Sequence, residues 1–278
     1  MDSAPQVMGV VNVTPDSFSD GGQYLDPALA VEHGTDLAAQ GAAVLDVGGE
    51  STRPGAQPVG EDEELRRVVP VVRSLAGLLP GVAVSIDTTK AAVAREALAA
   101  GATIVNDVSA LRADPELVEV VVEAGAGCCL MHMLGDPRTM QDDPRYGDVV
   151  SEVKAFLEQR LAFAVGHGVD EQAIWLDPGI GFGKTARHNL ELLARLDEIV
   201  AIGRPVVVGT SRKSFLGRLA GGREPDQRLP GTIATNVLAL ERGASIFRVH
   251  DVAAVADALA VAAATVAVAS EPRGERRA

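Results

Sequence analysis

Several short apolar runs in this sequence each end in a side chain that could do chemistry. These side chains include carboxylates, amides, a hydroxyl, an imidazole and cations, namely Asn12, Asp46, Asp87, Asn106, His132, Asp177, Ser211, Lys213 and Arg248. In a barrel of parallel strands, the carboxyl ends of all strands meet at one mouth, however distant they are in sequence. The pattern therefore predicts a single polar cavity lined by strand ends.

Four of these side chains form a specific combination, which consists of Asp87, Asn106, Asp177 and Lys213. A carboxylate can accept two parallel N–H bonds, an amide both donates and accepts, and an ammonium group donates. Together they suit a flat heterocycle with amino and lactam edges. For either aspartate taken alone, the alternative is an N-cap of the helix that follows it.

A second group of residues suits an anionic ligand. Ser51, Thr52 and Arg53 lie in the string GGESTRPG, and Arg248 and His250 lie in RVHD. The loops after strands 7 and 8 are the usual phosphate site of a (β/α)8 barrel, although an isolated arginine is more often a surface residue. The formal net charge of −13 repels nucleic acid and anionic membranes, so an anionic substrate requires such a local cationic cluster.

Other candidates carry weaker signals. Asp46 is expected to point back into the barrel as a structural group, and His132 to pack in the core. Asp107 alternates with Asn106 along a strand and is expected to face the other way. The string DPGIGFGKT ends like a phosphate-binding loop, but Pro178 occupies the position of its first glycine. No His/Cys/Asp spacing resembles a zinc site, and no Ser-His-Asp elbow is present.

The elements that must position these residues alternate between helix and strand. A helical segment, a Gly-containing stop and an apolar strand recur in QGAAVLDVGG, AGATIVNDVS and RGASIFRVHDV. Glycine just past a helix supplies a left-handed C-cap, and the β-branched run that follows can be buried on both faces. Strands are predicted near residues 7–11, 43–47, 82–86, 103–106, 128–132, 174–177, 206–209 and 245–249. Helices are predicted near 27–40, 61–79, 90–100, 115–124, 149–166, 189–200, 212–220 and 231–242, and after 251.

This succession predicts a (β/α)8 TIM barrel, an α/β fold, in one domain over residues 1–269, followed by a charged tail, 270–278, that is expected to fray. The length of 278 residues suits one such barrel. An open doubly wound sheet is the alternative, but it requires a Gly-rich fingerprint after the first strand. There the chain has NVTPDSFSDGG, which, like STRPG after the second strand, has the composition of a mobile loop.

Cysteine use and hydropathy indicate the compartment. Cys128 and Cys129 are adjacent on a predicted strand and so point to opposite faces, which argues against a disulfide framework and favours the cytoplasm. The apolar stretch 253–269 contains Asp257 and is shorter than the roughly 20 residues that span a bilayer. It is predicted to be the last helix, packed on the outside of the sheet.

The motifs, taken in order, resemble those of the dihydropteroate synthase family. The resemblance extends from about Met8 to Ala269 and includes GVVNVTPDSFSDGG, DVGGESTRPG, SIDT, NDVS, MHMLGDPRTMQ, DPGIGFGKTARHN, GTSRKSFLG and FRVHDV. It implies a transferase of folate biosynthesis, the target of sulfonamides. The implied reaction condenses 6-hydroxymethyl-7,8-dihydropterin pyrophosphate with p-aminobenzoate to give 7,8-dihydropteroate and pyrophosphate.

The resemblance also implies roles for individual residues. The pterin would be held by Asp87, Asn106, Met131, Asp177, Phe182 and Lys213. The pyrophosphate would be held by Asn12, Thr52, Arg53, Arg248 and His250, with Asn12 also acting through Mg2+. The p-aminobenzoate slot would comprise Thr52, Pro54, Phe182, Lys213 and Ser214, and mobile loops would carry Asp20, Ser51, Thr52 and Arg53. The catalytic residues would be Asp87, Asp177, Lys213 and Arg248, and the family resemblance suggests a homodimer through the outer helices.

Two alternatives share this barrel. A methyltetrahydrofolate-type methyltransferase domain uses similar aspartates and asparagines but binds no pyrophosphate, so the cluster of Arg53, Arg248 and His250 and the SRKS motif argue against it. A non-catalytic pterin-binding paralogue should lack part of the anion site or the two mobile loops, and this sequence has both.

Overall fold

The chain forms a barrel of eight parallel strands. A computed structural model describes residues 4–14, 27–51 and 57–270. The strands are β1 Gln6–Asn12, β2 Val44–Gly48, β3 Ala83–Asp87, β4 Ile104–Asp107, β5 Gly127–Met131, β6 Ile174–Asp177, β7 Val207–Val208 and β8 Ile246–Val249. They pair in the order 6-5-4-3-2-1-8-7, and a parallel bridge between Leu176 and Val206 joins β6 to the β7 edge. The predicted (β/α)8 fold is confirmed.

The outer layer consists of helices that follow the strands. They are α1 Pro27–Ala39, α2 Glu61–Leu78, α3 Ala91–Ala99, α4 Leu117–Ala124, α5 Val149–Gly166, α6 Ala186–Ala194, α7 Asp197–Val200, α8 Ser214–Leu219, α9 Leu229–Glu241 and α10 Val252–Ser270. The single helix predicted over 189–200 is wrong, because the chain leaves helical geometry at Arg195 (φ −115°, ψ 29°). The Arg195 guanidinium binds both carboxylate oxygens of Asp148, the N-cap of α5, at 2.8 and 3.0 Å. Ser270, placed in the tail by the sequence analysis, ends α10, and residues 271–278 lie outside the described part.

Alternation along the strands separates two apolar layers. Inside the barrel, a small cluster comprises Met8, Val44, Ile104, Cys129, Val207 and Ile246. The opposite face of each strand packs under the helices, where Leu45, Val47 and Phe247 belong to the main core. Cys128 and Cys129 are free and buried in these two different layers, as the period of two requires.

Helix α10 is unusually apolar for an outer helix. Its segment Val252–Ala269 has a mean hydropathy of 2.1 and is long enough to cross a bilayer by length and composition, yet only 17% of that segment is buried. The helix packs against α9 and β1, while Val261 and Val268 are 70% and 54% exposed. Its outer face therefore presents an apolar surface of the kind that interfaces bury.

The packing of α2 gives a test of the core. Leu75→Ala should lower the free energy of unfolding by about 2–5 kcal/mol, because Leu75 is fully buried against Gly34 of α1 and its removal leaves a cavity. Leu78→Ala in the same helix is the control: Leu78 is 63% exposed, and we expect a change below about 0.5 kcal/mol. Urea unfolding followed by circular dichroism measures both, and equal losses would contradict this packing.

Candidate active site

A half-buried arginine joins two buried carboxylates at the carboxyl-end mouth of the barrel. Arg248 on β8 donates from Nε to Asp46 Oδ2 at 2.6 Å and from Nη2 to Asp87 Oδ2 at 2.8 Å. Asn106 Nδ2 donates to the same Asp46 Oδ2 at 3.0 Å. These residues come from β2, β3, β4 and β8, so the fold brings side chains that are up to 202 residues apart into one hydrogen-bonded cluster.

This cluster is electrostatically strained. Burial raises the pKa of Asp87 to about 7; Arg248 opposes that rise, while the neighbouring charges of Asp46 and Glu64 add to it. Burial alone would lower the pKa of Arg248, but Asp46 and Asp87 raise it above its ordinary value. Arg248 is therefore a permanent cation, whereas the pKa of Asp87 lies near neutral pH.

Asp177 ends β6 and begins the second half of the site. Its Oδ1 accepts a hydrogen bond from Gly179 N at 2.6 Å. Gly179 has φ +68°, and a Cβ there would lie 1.9 Å from the carbonyl oxygen of His132, so no other residue fits. Burial raises the pKa of Asp177, and the Gly179 N–H and the charges of Lys213, Arg248 and Lys184 oppose the rise.

An aromatic and methionine-rich wall stands beside these polar groups. Lys213 Nζ lies 4.0 Å above the centre of the Phe182 ring. Phe182 packs against a cluster that contains Met131, Met133 and Met140. A flat ligand would find both an apolar face and a cation here.

The loops after β7 and β8 are tied to each other. His250 donates from its backbone N to Ser211 Oγ at 3.1 Å, and Ser211 Oγ lies 3.0 Å from His250 Nδ1. Arg212 adopts a left-handed conformation (φ +58°) and binds both carboxylate oxygens of Asp251, at 3.0 and 2.5 Å. This ion pair joins the loop that carries Lys213 to the residues that follow β8.

The alternative role of the strand-end aspartates as helix N-caps is wrong for both. The N-cap of α3 is Lys90 and that of α6 is Thr185, so neither Asp87 nor Asp177 caps the following helix. The expectation for Asp107 is confirmed: it faces away from the site and accepts hydrogen bonds from Ser109 N and Leu111 N.

The remaining predicted site residues are placed unequally. Asn12 is half-buried at the end of β1, and Ser214 is exposed at the first position of α8. Ser51 is half-buried, and the adjacent Glu50 accepts hydrogen bonds from Val59 N and Lys90 Nζ at 3.1 and 2.6 Å. Asp20, Thr52, Arg53 and Pro54 lie outside the described residues.

One buried cation escaped the sequence analysis. Lys184 is only 2% exposed, and its Nζ lies 2.9 Å from His132 Nδ1, 3.0 Å from the Phe182 carbonyl oxygen and 3.4 Å from that of His132. Burial lowers the pKa of Lys184 to about 7 and that of His132 to about 3, so His132 is a neutral acceptor packed edge-on against Phe156. In the sequence, Lys184 is marked only by DPGIGFGKT, which does not fit a phosphate-binding loop because Pro178 replaces its first glycine.

The arrangement can hold a polar heterocycle and an anion side by side. Carboxylates at Asp87 and Asp177 can accept N–H groups, and Asn106 can exchange hydrogen bonds with a ring amide. Arg248 and His250 supply donors for an oxyanion next to them. Such a site suits a heterocycle that carries an anionic leaving group.

Comparison with known proteins assigns the family. A family model described as "Pterin binding enzyme" matches residues 8–250. The dihydropteroate synthase of Mycobacterium leprae is 52% identical over 271 residues, which cover 95% of each chain. That of Escherichia coli is 45% identical over 273 residues, covering 98% of this chain and 96% of its own.

Solved structures agree in fold and in sequence. Yersinia pestis dihydropteroate synthase in a sulfonamide drug complex superposes with a TM-score of 0.90 at 45% identity, with 95% of each chain covered. The Xanthomonas albilineans enzyme with 4-aminobenzoic acid has a TM-score of 0.89 at 48% identity, covering 97% of this chain and 94% of that one. The chain therefore belongs to the pterin-binding enzymes and, among them, to the dihydropteroate synthases, the transferases of folate biosynthesis.

Proposed function

We propose that this chain condenses 6-hydroxymethyl-7,8-dihydropterin pyrophosphate with p-aminobenzoate, and that the strand-end cluster around Arg248 carries the reaction. The supporting observation is the direct contact of Arg248 with Asp87, because it places an anion-binding cation beside a carboxylate suited to the pterin ring. Asp87 would then bind the heterocycle, and Arg248 beside it would bind the diphosphate that the heterocycle carries.

The pterin is assigned to the carboxylate and amide groups. Asp177 and Asp87 would accept the amino and ring N–H groups, and Asn106 would bind the ring amide. Lys213 would donate to a ring acceptor, and Phe182 and Met131 would cover a face of the ring. The burial of both aspartates supports this role, since a hydrogen bond to a charged group is stronger where water is excluded.

The diphosphate is assigned to Arg248 and His250, with Asn12 nearby at the end of β1. Among the described residues, no group of three His, Cys, Asp or Glu side chains could hold a metal ion. Mg2+ commonly takes one or two protein oxygens together with substrate phosphates and water, and the amide oxygen of Asn12 fits that pattern. When bound, Mg2+ would neutralise charge on the departing diphosphate.

Catalysis then needs charge placement rather than a covalent nucleophile. The C–O bond to pyrophosphate breaks, the aniline nitrogen forms a bond to the pterin methylene, and that nitrogen loses a proton. Arg248 and His250 stabilise the leaving anion, while ionised Asp87 and Asp177 favour positive charge on the ring. Each such contact contributes on the order of 2–4 kcal/mol to lowering the barrier.

The second substrate is assigned to the wall beside Lys213. Phe182, Lys213 and Ser214 would line its slot; Thr52 and Pro54, which the family resemblance also assigns to it, lie outside the described residues. The 4-aminobenzoic acid complex of the Xanthomonas albilineans enzyme supports a slot of this chemistry.

We also propose that two copies of the chain pair through α9 and α10 and act in the cytoplasm. A groove of about 560 Å³ between these helices is lined by Val237, Glu241, Asp257, Ala258, Val261, Ala262 and Thr265. Burial of this surface in an isologous dimer would account for the exposed valines of α10. The free, buried cysteines suit a reducing compartment.

The reaction is tested with the purified full chain, both substrates and Mg2+. We expect equimolar pyrophosphate and 7,8-dihydropteroate, and no pyrophosphate when p-aminobenzoate is omitted. EDTA should suppress turnover and excess Mg2+ restore it. Absence of product with both substrates would overturn the proposed reaction, whereas full activity in EDTA would overturn only the metal.

Asp177→Asn should lower kcat/KM for the pterin substrate by at least about 100-fold, because the ring loses charge-assisted hydrogen bonds. Asp148→Asn is a matched control, since Asp148 pairs with Arg195 on the outer surface. It should retain wild-type turnover. Steady-state kinetics on variants with unchanged circular dichroism decide between the outcomes, and an active Asp177→Asn enzyme would refute the assignment.

Val261→Glu should convert the dimer to the 28.8 kDa monomer, because it places a charge on the apolar face of α10. Val165→Glu on α5, where Val165 is 38% exposed, should leave the dimer intact. Light scattering after size exclusion measures both masses. A dimeric Val261→Glu protein, or a monomeric wild type, would contradict this interface.

A further inference from the structure

One buried carboxylate in the cluster has no role in the function proposed above. Asp46 is fully buried (0% exposed) on β2 and points into the barrel. A single oxygen, Oδ2, accepts from Arg248 Nε at 2.6 Å and from Asn106 Nδ2 at 3.0 Å. We infer that Asp46 is a positioning residue for the condensation, because it fixes the orientations of Arg248 and Asn106 at once; this inference rests on the proposed function.

For Arg248, the atom that Asp46 holds is the decisive one. Nε is the guanidinium nitrogen nearest the backbone, so a hydrogen bond there sets the plane of the whole group. A guanidinium has five N–H donors in a rigid fork, and only Nε and one N–H of Nη2 are bound within the described residues. The outer donors remain available for an oxyanion.

Asp46 also prevents Arg248 from pairing exclusively with Asp87, the carboxylate assigned to the pterin. The Arg248 guanidinium is shared between Asp46 and Asp87. Without the charge of Asp46, Asp87 would be its one carboxylate partner in the described structure and would hold it more tightly. An incoming pterin would then compete with Arg248 for Asp87.

For Asn106, Asp46 decides which end of the amide faces the ligand. An ionised carboxylate oxygen only accepts, so the group that meets Asp46 must be the NH2 of Asn106. The carbonyl oxygen is then the opposite end of the amide and is free to accept from a ring N–H. The same contact that orients the cation thus sets the hydrogen-bonding polarity of the pterin site.

Asp46 acts on Asp87 through charge as well. The groups that bear on Asp87 are Arg248 from β8, Asp46 from β2, Glu64 from α2 and Asp107 from β4. Burial raises the pKa of Asp87 to about 7, and the charge of Asp46 contributes to the rise. Neutralising Asp46 should therefore lower the pKa of Asp87. If Asp46 only filled space, the same substitution would leave that pKa unchanged.

The test is Asp46→Asn, which preserves shape and removes the charge. In the wild type, kcat/KM for the pterin substrate should increase with pH through about 7 as Asp87 ionises. In Asp46→Asn this limb should move to lower pH, and KM for the pterin substrate should rise about tenfold or more. KM for p-aminobenzoate should change less than about twofold.

Ser85→Ala is the matched control. Ser85 lies opposite Asp46 in the β2–β3 register, is fully buried, and its hydroxyl has no hydrogen-bond partner within the described residues. It should retain the wild-type KM values and pH limb. Wild-type pterin KM and an unmoved limb in folded Asp46→Asn would overturn the inference.

A measurement on the wild type covers the case in which Asp46→Asn does not fold. The 15N–1H NMR signal of Arg248 Nε is assigned by its loss in Arg248→Lys. We expect its proton to exchange slowly with solvent, and the signal to persist when pyrophosphate is added. Exchange as fast as that of an exposed arginine would overturn the inference. Absent turnover with a protected Nε–H would instead count against the proposed function alone.

Discussion

The architecture of the mouth depends on one half-buried positive charge that is shared by two buried negative ones. Removal of Arg248 would leave Asp46 and Asp87 as uncompensated like charges on adjacent strands, and breaking a buried pair in this way typically costs about 3–5 kcal/mol. The cluster therefore contributes to the stability of the fold as well as to binding. Burial raises the pKa of Asp87 to about 7 although Arg248 opposes the rise, and the charges of Asp46 and Asp87 raise the pKa of Arg248 above its ordinary value.

Strand periodicity turns this interaction into a site. Residues two apart on one strand point into the barrel at successive levels, so apolar Val44 lies below Asp46, and Ile104 lies below Asn106. The lower level is sealed by aliphatic side chains and the upper level is polar. Loops after β6, β7 and β8 then add groups from the side, as Lys213 does above Phe182.

The sequence predicted the barrel and its polar mouth well, because both follow from local rules. Glycine stops and short apolar runs fix the strands, and the strand ends of a parallel barrel must converge. The partners of Asp46 could not be predicted, since they depend on which of several inward residues approach across 202 and 60 positions of sequence. Lys184 was missed for a similar reason: its acceptors are mainly backbone carbonyls, whose positions no side-chain pattern encodes. The break at Arg195 likewise coincides with a contact to Asp148, 47 positions away in the sequence.

The placement of the two cysteines has a consequence for how the protein ages. Each thiol is buried in its own apolar layer, and burial raises the pKa of Cys128 to about 12 and that of Cys129 well above its ordinary value. Oxidants and electrophiles attack the thiolate, which is scarce under these conditions. We therefore expect chemical damage at sulfur to be slow in the folded protein and to follow local opening of the sheet that exposes the thiols to water.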